Sequence, residues 1–85
     1  MIDVCVSGAA GRMGQAVVGA VGREAGMRVA MAVDPALPAG EGAYPDLAAA
    51  LAAGTPEVMV DFTIPATVFA NAMAALGAGV HVVIG

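Results

Sequence analysis

Three glycines near the N-terminus have the spacing that most strongly indicates a binding chemistry. They stand at positions 8, 11 and 14, a G-x-x-G-x-x-G pattern, directly after the apolar run over residues 2–7. Without a Cβ, Gly8 can turn the chain, Gly11 can bring an amide close to a ligand, and Gly14 can lie against the preceding strand. The free N–H groups and the positive dipole end of a helix beginning here attract anions. The spacing predicts a pyrophosphate site; a glycine-rich turn that binds nothing is the alternative.

Asp34 is the residue that discriminates between cofactors. It lies about 20 residues after the last of these glycines, at the end of a second strand pattern. A carboxylate there can accept hydrogen bonds from both hydroxyls of an adenosine ribose, whereas it repels a 2′-phosphate. Because Pro35 and not an arginine follows, we predict that NAD(H) binds at least as well as NADP(H). A solvated carboxylate that merely ends a strand is the alternative.

Arg12 keeps NADP(H) open as a cofactor. It falls at the predicted helix start, where a cation opposes the helix dipole. A nearby phosphate, either the pyrophosphate or a 2′-phosphate, would explain that placement. A solvated surface arginine is the alternative interpretation.

The other polar residues suggest structural roles. Asp61, before Phe62 and Thr63, is interpreted as fixing the adjacent turn, with a general base as the alternative. His81 lies in a strand pattern without ligand partners at metal spacing, and the single cysteine, Cys5, fits a buried, inert thiol. The sequence predicts no metal site and contains neither a P-loop lysine nor a Ser-His-Asp arrangement.

Strand and helix patterns alternate along the chain, and they must position these residues. The predicted strands cover 2–7, 27–33, 57–62 and 80–84, with a weaker edge strand near 43–44 in a loop over 35–45. The predicted helices cover 12–24, ended by Gly26, then 47–53 and 65–76. Thr63 is the expected N-cap of the last helix, with Pro65 in its first turn.

Apolar spacing predicts which faces of the helices are buried. Val17, Val18 and Val21 share one face of the first helix, and Leu47 and Leu51 share one face of the second. Three further residues are expected to form the buried stripe of the last helix: Phe69, Met73 and Leu76.

Alternating strands and helices predict an α/β fold, a Rossmann-type doubly wound parallel sheet. If the strand at 57–62 lies on the far side of the first strand from the strand at 27–33, a crevice opens at their carboxyl ends. The loops at 8–13 and 62–65 would then line one ligand site.

Composition limits the possible functions. Eighty-five residues form one small domain, for which a partner domain is plausible. The net charge of −4, with three basic residues, argues against nucleic-acid binding. The chain is 60% hydrophobic with a mean hydropathy of +0.89, but it has no membrane-spanning run and no signal-peptide pattern. A single cysteine fits the reduced cytoplasm, where we expect the protein to act.

Three segments together resemble the N-terminal domain of 4-hydroxy-tetrahydrodipicolinate (dihydrodipicolinate) reductases. They are Gly8-Ala9-Ala10-Gly11-Arg12-Met13-Gly14, Val60-Asp61-Phe62-Thr63-Ile64-Pro65 and His81-Val82-Val83-Ile84-Gly85. The resemblance covers the whole chain in order. It implies NAD(P)H-dependent reduction of 4-hydroxy-tetrahydrodipicolinate on the diaminopimelate route to lysine.

By position, the resemblance assigns the cofactor residues. Gly8, Ala9, Ala10, Gly11, Arg12 and Met13 would hold the pyrophosphate, and Asp34 the adenosine ribose. Phe62 and Thr63 would lie near the nicotinamide, and Gly85 would begin a G-T-T-G loop that also contacts the cofactor. The family's substrate segment and tetramer-forming sheet would lie downstream of Gly85, so no catalytic residue is expected in this chain. We expect residues 1–85 alone to bind cofactor weakly and to show no turnover.

Three other functional interpretations of this sequence stay open. Aspartate dehydrogenases and sugar oxidoreductases use a similar N-terminal module. A non-catalytic nucleotide-sensing or CoA-binding domain also places a glycine loop at a helix start. A truncated product without a function of its own is the third alternative.

Overall fold

The computed structural model describes residues 1–38 and 40–85 and contains one five-stranded sheet. Residue 39, within the loop expected over 35–45, lies outside the described residues. The elements in chain order are β1 (Ile2–Ser7), α1 (Arg12–Gly22), β2 (Met27–Val33), β3 (Ala43–Tyr44), α2 (Leu47–Ala53), β4 (Val58–Asp61), α3 (Pro65–Gly77) and β5 (His81–Ile84). Among the helices of the described part, none has the length and apolar character needed to cross a membrane.

The sheet is parallel throughout, with strand order β3-β2-β1-β4-β5. The central strand β1 is buried on both faces, as its unbroken apolar run predicts. Val4 and Val6 pack with Val21 of α1 on one face, whereas Cys5 packs with the α2 and α3 side on the other. Helices therefore cover both faces, and the predicted doubly wound α/β fold is confirmed.

The strand order reverses at β1, which pairs with β2 on one side and with β4 on the other. Ser7 is in register with Val33 of β2 and with Asp61 of β4, so the three carboxyl ends are level. The loops that follow them begin at one edge of the sheet. This is the crevice that the sequence predicts, at the usual ligand position of such folds.

Two helix ends differ from the prediction. α1 stops at Gly22 instead of continuing to Glu24, because the amides of Arg23 and Glu24 turn back to Ala20 and Val21 in a tightened last turn. The N-cap of α3 is Ile64, not Thr63, and no side chain of the described residues caps that helix. Thr63 bonds to Asp61 instead. Pro65 begins the helix, as predicted.

The predicted buried stripe of α3 is wrong. Phe69 is 73% exposed, Met73 55% and Leu76 57%. The helix faces the sheet through a neighbouring stripe of smaller side chains: Val68, Asn71, Ala72 and Ala75. Nearly every position of this helix is apolar, so spacing alone does not identify the inner face. Small residues let the helix lie close to the sheet, and Asn71 reaches a buried carboxylate there.

The other helix faces agree with the prediction. Val21 is buried and Val17 and Val18 pack beside it. Leu47 is 5% exposed, and Leu51 packs against the same core. The weak edge strand at 43–44 also forms, paired with the end of β2.

Candidate functional site

The site is built around the turn at Gly8, which leaves β1 with φ of +82°. The amides of Gly8 and Ala9 both donate to the Val33 carbonyl, at 2.8 and 3.1 Å. A Cβ on Gly8 would stand 3.1 Å from the Phe62 carbonyl carbon. The turn is therefore fixed by β2 and lies directly against the β4–α3 turn, where a side chain would not fit.

Gly14 brings α1 onto that same turn. A Cβ at this position would overlap the Gly8 carbonyl oxygen and lie 2.8 Å from the Ala9 Cα. These are backbone atoms that cannot rotate away. The predicted role of Gly14, close packing of the helix against the strand it follows, is confirmed.

The amides of this loop divide into two groups. Those of Gly8 to Gly11 bond within the protein, with Ala10 donating to the Asp34 Oδ2 at 3.1 Å and Gly11 to the Gly8 carbonyl at 3.1 Å. In residues 1–38 and 40–85, the amides of Arg12, Met13 and Gly14 donate to no acceptor. They form the first turn of α1, where the helix dipole also favours an anion. The sequence did not show this division.

The residues of this first turn line a cleft of about 400 Å³. Its lining combines residues that the sequence predicts for the cofactor with the helix-packing glycine: Gly8, Gly11, Arg12, Met13, Gly14, Phe62 and Gly85. Gly85 donates its amide to the Asp61 carbonyl at 3.0 Å, and a Cβ on Gly85 would overlap the Phe62 ring. Gly85, directly after β5, thus borders the same cleft as the glycine turn.

A second cleft of about 470 Å³ lies across Gly8 from the first. It is lined by Ser7, Gly8, Val33, Asp34, Pro35, Pro45, Asp46, Leu47, Thr63, Thr67 and Asn71. The structure thus brings Asp34 and Thr63 to one cavity. The prediction did not include Ser7, Asp46, Thr67 or Asn71 in the site; the only signal for Asp46 was its place before α2.

Asp34 is held in a fixed orientation at this cleft. Its Oδ2 accepts from the Ala10 amide at 3.1 Å and its Oδ1 from the Ala36 amide at 3.0 Å. A carboxylate has about four lone-pair positions, so both oxygens can still accept from a ligand. Pro35 beside it lines the same cavity and adds no charge.

Asp61 is fully buried, at 0% exposure. Its Oδ1 accepts from the Thr63 amide at 2.7 Å and from the Thr63 hydroxyl, and its Oδ2 accepts from the Asn71 amide nitrogen at 3.0 Å. The interpretation that Asp61 fixes the adjacent turn is confirmed.

The remaining titratable groups lie away from the clefts. His81 is exposed and begins β5, at the opposite edge of the sheet. Burial, with a smaller contribution from the charge of Asp61, raises the pKa of the Cys5 thiol to about 11, as expected of an inert core residue. Asp3 accepts from Arg28 at 2.6 Å on the surface, and this hydrogen bond lowers the pKa of Asp3. Within the described ranges no group of His, Cys, Asp and Glu side chains could hold a metal.

The fold and both clefts can now be compared with known proteins. A family model described as "Dihydrodipicolinate reductase, N-terminus" matches residues 2–85. The chain belongs to this family. The resemblance read from the three segments is confirmed, and the family's domain is the nucleotide-binding domain of an NAD(P)H-dependent reductase.

Individual relatives support the same family assignment. The chain is 45% identical over 97 residues to a 4-hydroxy-tetrahydrodipicolinate reductase of Moorella thermoacetica, covering 99% of the chain and 36% of the relative. With the enzyme of the same name from Beutenbergia cavernae it shares 44% identity over 84 residues, covering 99% of the chain and 30% of the relative. The chain thus spans about a third of the length of the curated relatives it matches. This result does not favour the alternative dehydrogenases or a CoA-binding domain.

A solved structure shows the same architecture. It is a dipicolinate-bound dihydrodipicolinate reductase from Paenisporosarcina sp. TG-14, which superposes with a TM-score of 0.87 at 30% sequence identity. The match covers 100% of this chain and 37% of that one. The domain therefore has the family's fold over its whole length.

Proposed function

We propose that residues 1–85 hold the NAD(P)H of a 4-hydroxy-tetrahydrodipicolinate reductase in the diaminopimelate route to lysine. The observation that carries the proposal is the free first turn of α1. Among the described residues the amides of Arg12 and Met13 have no acceptor, and both residues line a cleft with Phe62 and Gly85. Such amides can hold a pyrophosphate without a charged side chain. When bound, the cofactor supplies a hydride to the imine substrate.

The chain's residues fit a dinucleotide that lies across the Gly8 turn. The pyrophosphate would rest on the amides of Arg12 and Met13, where the absent Cβ of Gly11 leaves room for it and the Arg12 guanidinium adds a positive charge. Asp34 would accept from the adenosine ribose in the 470 Å³ cleft, which is within the size range of small-molecule pockets. Phe62, Thr63 and Gly85 would border the nicotinamide end. Gly8, Ala9 and Ala10 would shape the turn through their bonds to Val33 and Asp34.

We also propose that NAD(H) binds at least as well as NADP(H). The Asp34 carboxylate is pinned at the cleft by two amides and cannot swing away from a 2′-phosphate without losing both bonds. Asp46, a second carboxylate, lines the same cleft, and among residues 1–38 and 40–85 no lysine or arginine lines it. Because like charges repel across such a cavity, the 2′-phosphate is disfavoured there.

Substrate reduction requires protein on both sides of the reacting carbons. The 85 residues match about a third of each relative. We therefore assign substrate binding, catalysis and assembly into a homotetramer to the remainder of the family's length, and propose that the protein acts in the cytoplasm. Residues 1–85 expressed alone should bind cofactor weakly and show no turnover.

Cofactor titration tests the proposal. Binding of NADH and NADPH is followed by nucleotide fluorescence, using the protein with any sequence that adjoins residues 1–85 in its gene. Asp34→Ala should raise the Kd for NADH about tenfold, the effect of roughly 1.4 kcal/mol of lost hydrogen bonding, and should leave NADPH binding equal or tighter. The control is Glu57→Gln, which removes an exposed charge at the far edge of the sheet. If neither nucleotide binds, or if Asp34→Ala behaves like the control, the proposal is wrong.

A further inference from the structure

Asp61 forms a buried hydrogen-bond network beside the larger cleft. Its carboxylate accepts from Thr63 and Asn71, and the Asn71 amide nitrogen also lies 3.4 Å from the Ser7 hydroxyl oxygen. Ser7 ends β1 just before the glycine turn, Thr63 lies in the β4–α3 turn, and Asn71 lies on α3. All three line the 470 Å³ cleft.

In this network Thr63 and Asn71 donate hydrogen bonds and Asp61 accepts them. A carboxylate only accepts, so the Thr63 hydroxyl must give its proton to Asp61 and leave its oxygen lone pairs free as acceptors. Asn71 presents its NH₂ group to the other carboxylate oxygen. A buried charge is tolerated only when it is hydrogen-bonded in this way.

The turn that Asp61 holds lies between the two clefts. Phe62 lines the smaller cleft and Thr63 the larger, while the Phe62 carbonyl lies against Gly8. Within the part of the chain that the structure describes, no side chain caps the N-terminus of α3, and the Asp61–Thr63 bonds give this turn side-chain support. A turn that loosened would displace one wall of each cleft together.

We propose that Asp61 is a positioning residue for the cofactor: through Asn71 and Thr63 it holds the Phe62–Thr63 turn in the binding geometry. This inference rests on the proposed function. It predicts that cofactor affinity depends on which groups of the network donate hydrogen bonds and which accept them. A negative charge at position 61 does not by itself decide the affinity.

Exchanging the acid and the amide side chains between positions 61 and 71 tests the inference. Asp61→Asn has nearly the same shape, but its NH₂ group would face the NH₂ group of Asn71, which must turn over or lose this hydrogen bond. We expect the Kd for NADH to rise about tenfold at a temperature where circular dichroism shows the variant to be folded. Loss of a negative charge alone would tighten binding of an anion, so the charge effect has the opposite sign.

The double variant Asp61→Asn/Asn71→Asp again pairs a donor with an acceptor between the two positions. The new amide at 61 can donate to the new carboxylate at 71, while its oxygen still accepts from Thr63. The double variant also keeps the net charge of the wild type. The Kd should return to within about threefold of the wild-type value. A merely structural role would change thermal stability and leave the Kd of folded protein unmoved.

Several outcomes would overturn the inference. An unchanged Kd in folded Asp61→Asn would do so, as would a double variant that binds no better than the single one. If Asp61→Asn does not fold, Asn71→Ala replaces it, because this variant keeps the two Thr63 bonds and should still raise the Kd several-fold. An unchanged Kd of Asn71→Ala would also contradict the inference. Wild-type protein that binds neither NADH nor NADPH instead refutes the proposed function, and the inference fails with it.

Discussion

Gly14→Ala is expected to destabilise the domain although alanine is the better helix former. The added Cβ would overlap the Gly8 carbonyl oxygen and lie 2.8 Å from both the Ala9 Cα and the Gly8 carbonyl carbon. Carbon atoms in contact prefer about 3.5–4.0 Å. Because every clashing atom belongs to the backbone, relief requires α1 to move away from β1, which separates Val21 from its partners Val4 and Val6.

The magnitude follows from two opposing terms. Overpacking costs about 1–3 kcal/mol or more, and a backbone clash belongs at the upper end of that range. The helix propensity of alanine over glycine offsets about 1 kcal/mol. A net loss of roughly 2 kcal/mol is expected, which lowers Tm by about 8–16 °C in a domain of this size.

Gly22→Ala is the matched control in the same helix. Apart from its chain neighbours and the helix's own backbone, no atom of the described residues lies within 4 Å of the position that its Cβ would occupy. Only the propensity term remains, so this variant should gain up to about 1 kcal/mol. Urea unfolding of both variants measures the difference, with an unchanged m-value showing that the unfolded state is the same. Equal stabilities would refute the packing argument. Gly14→Ala should also weaken NADH binding, because it displaces the Arg12 and Met13 amides, whereas Gly22→Ala should not.

Two further predictions concern the core thiol and the second cleft. Burial raises the pKa of Cys5 from 9.0 to about 11, so the folded state keeps a proton that the unfolded chain loses; stability should fall as the pH rises from 9 to 11, and Cys5→Ala should flatten that slope in pH-dependent unfolding. An unchanged slope would show that another group titrates. Asp46 caps α2 by accepting from the Ala49 amide at 2.8 Å, so Asp46→Ala should cost about 1 kcal/mol in urea unfolding, whereas Asp46→Asn retains a cap and should cost little. Equal losses in the two Asp46 variants would contradict the capping role.

Much of the fold was predictable because local signals agree with the topology. The glycine spacing defines the turn and the start of α1, since positive φ at Gly8 and close approach at Gly14 both exclude a side chain. The continuous apolar character of β1 indicates burial on both faces, and the alternation of strands and helices predicts a parallel, doubly wound sheet. The reversal of strand order entered only as a supposition about the side of β1 on which β4 packs.

The errors arose where local signals are ambiguous. On α3, large and small apolar residues alternate around the helix, and tertiary packing selected the small face with Ala75 over the face with Phe69. Thr63 has the residue type of an N-cap, but its hydroxyl donates to the buried Asp61 carboxylate instead. Ile64 therefore occupies the N-cap position of α3. Which loop amides remain free depends on long-range bonds to Val33 and Asp34, which no local pattern encodes.

A high-resolution structure of the protein with NADH tests the central claim most directly. We predict that pyrophosphate oxygens lie within hydrogen-bonding distance of the Arg12 and Met13 amides, with the adenosine ribose on Asp34. A dinucleotide bound elsewhere, or the first turn of α1 left without a phosphate contact, would contradict the account.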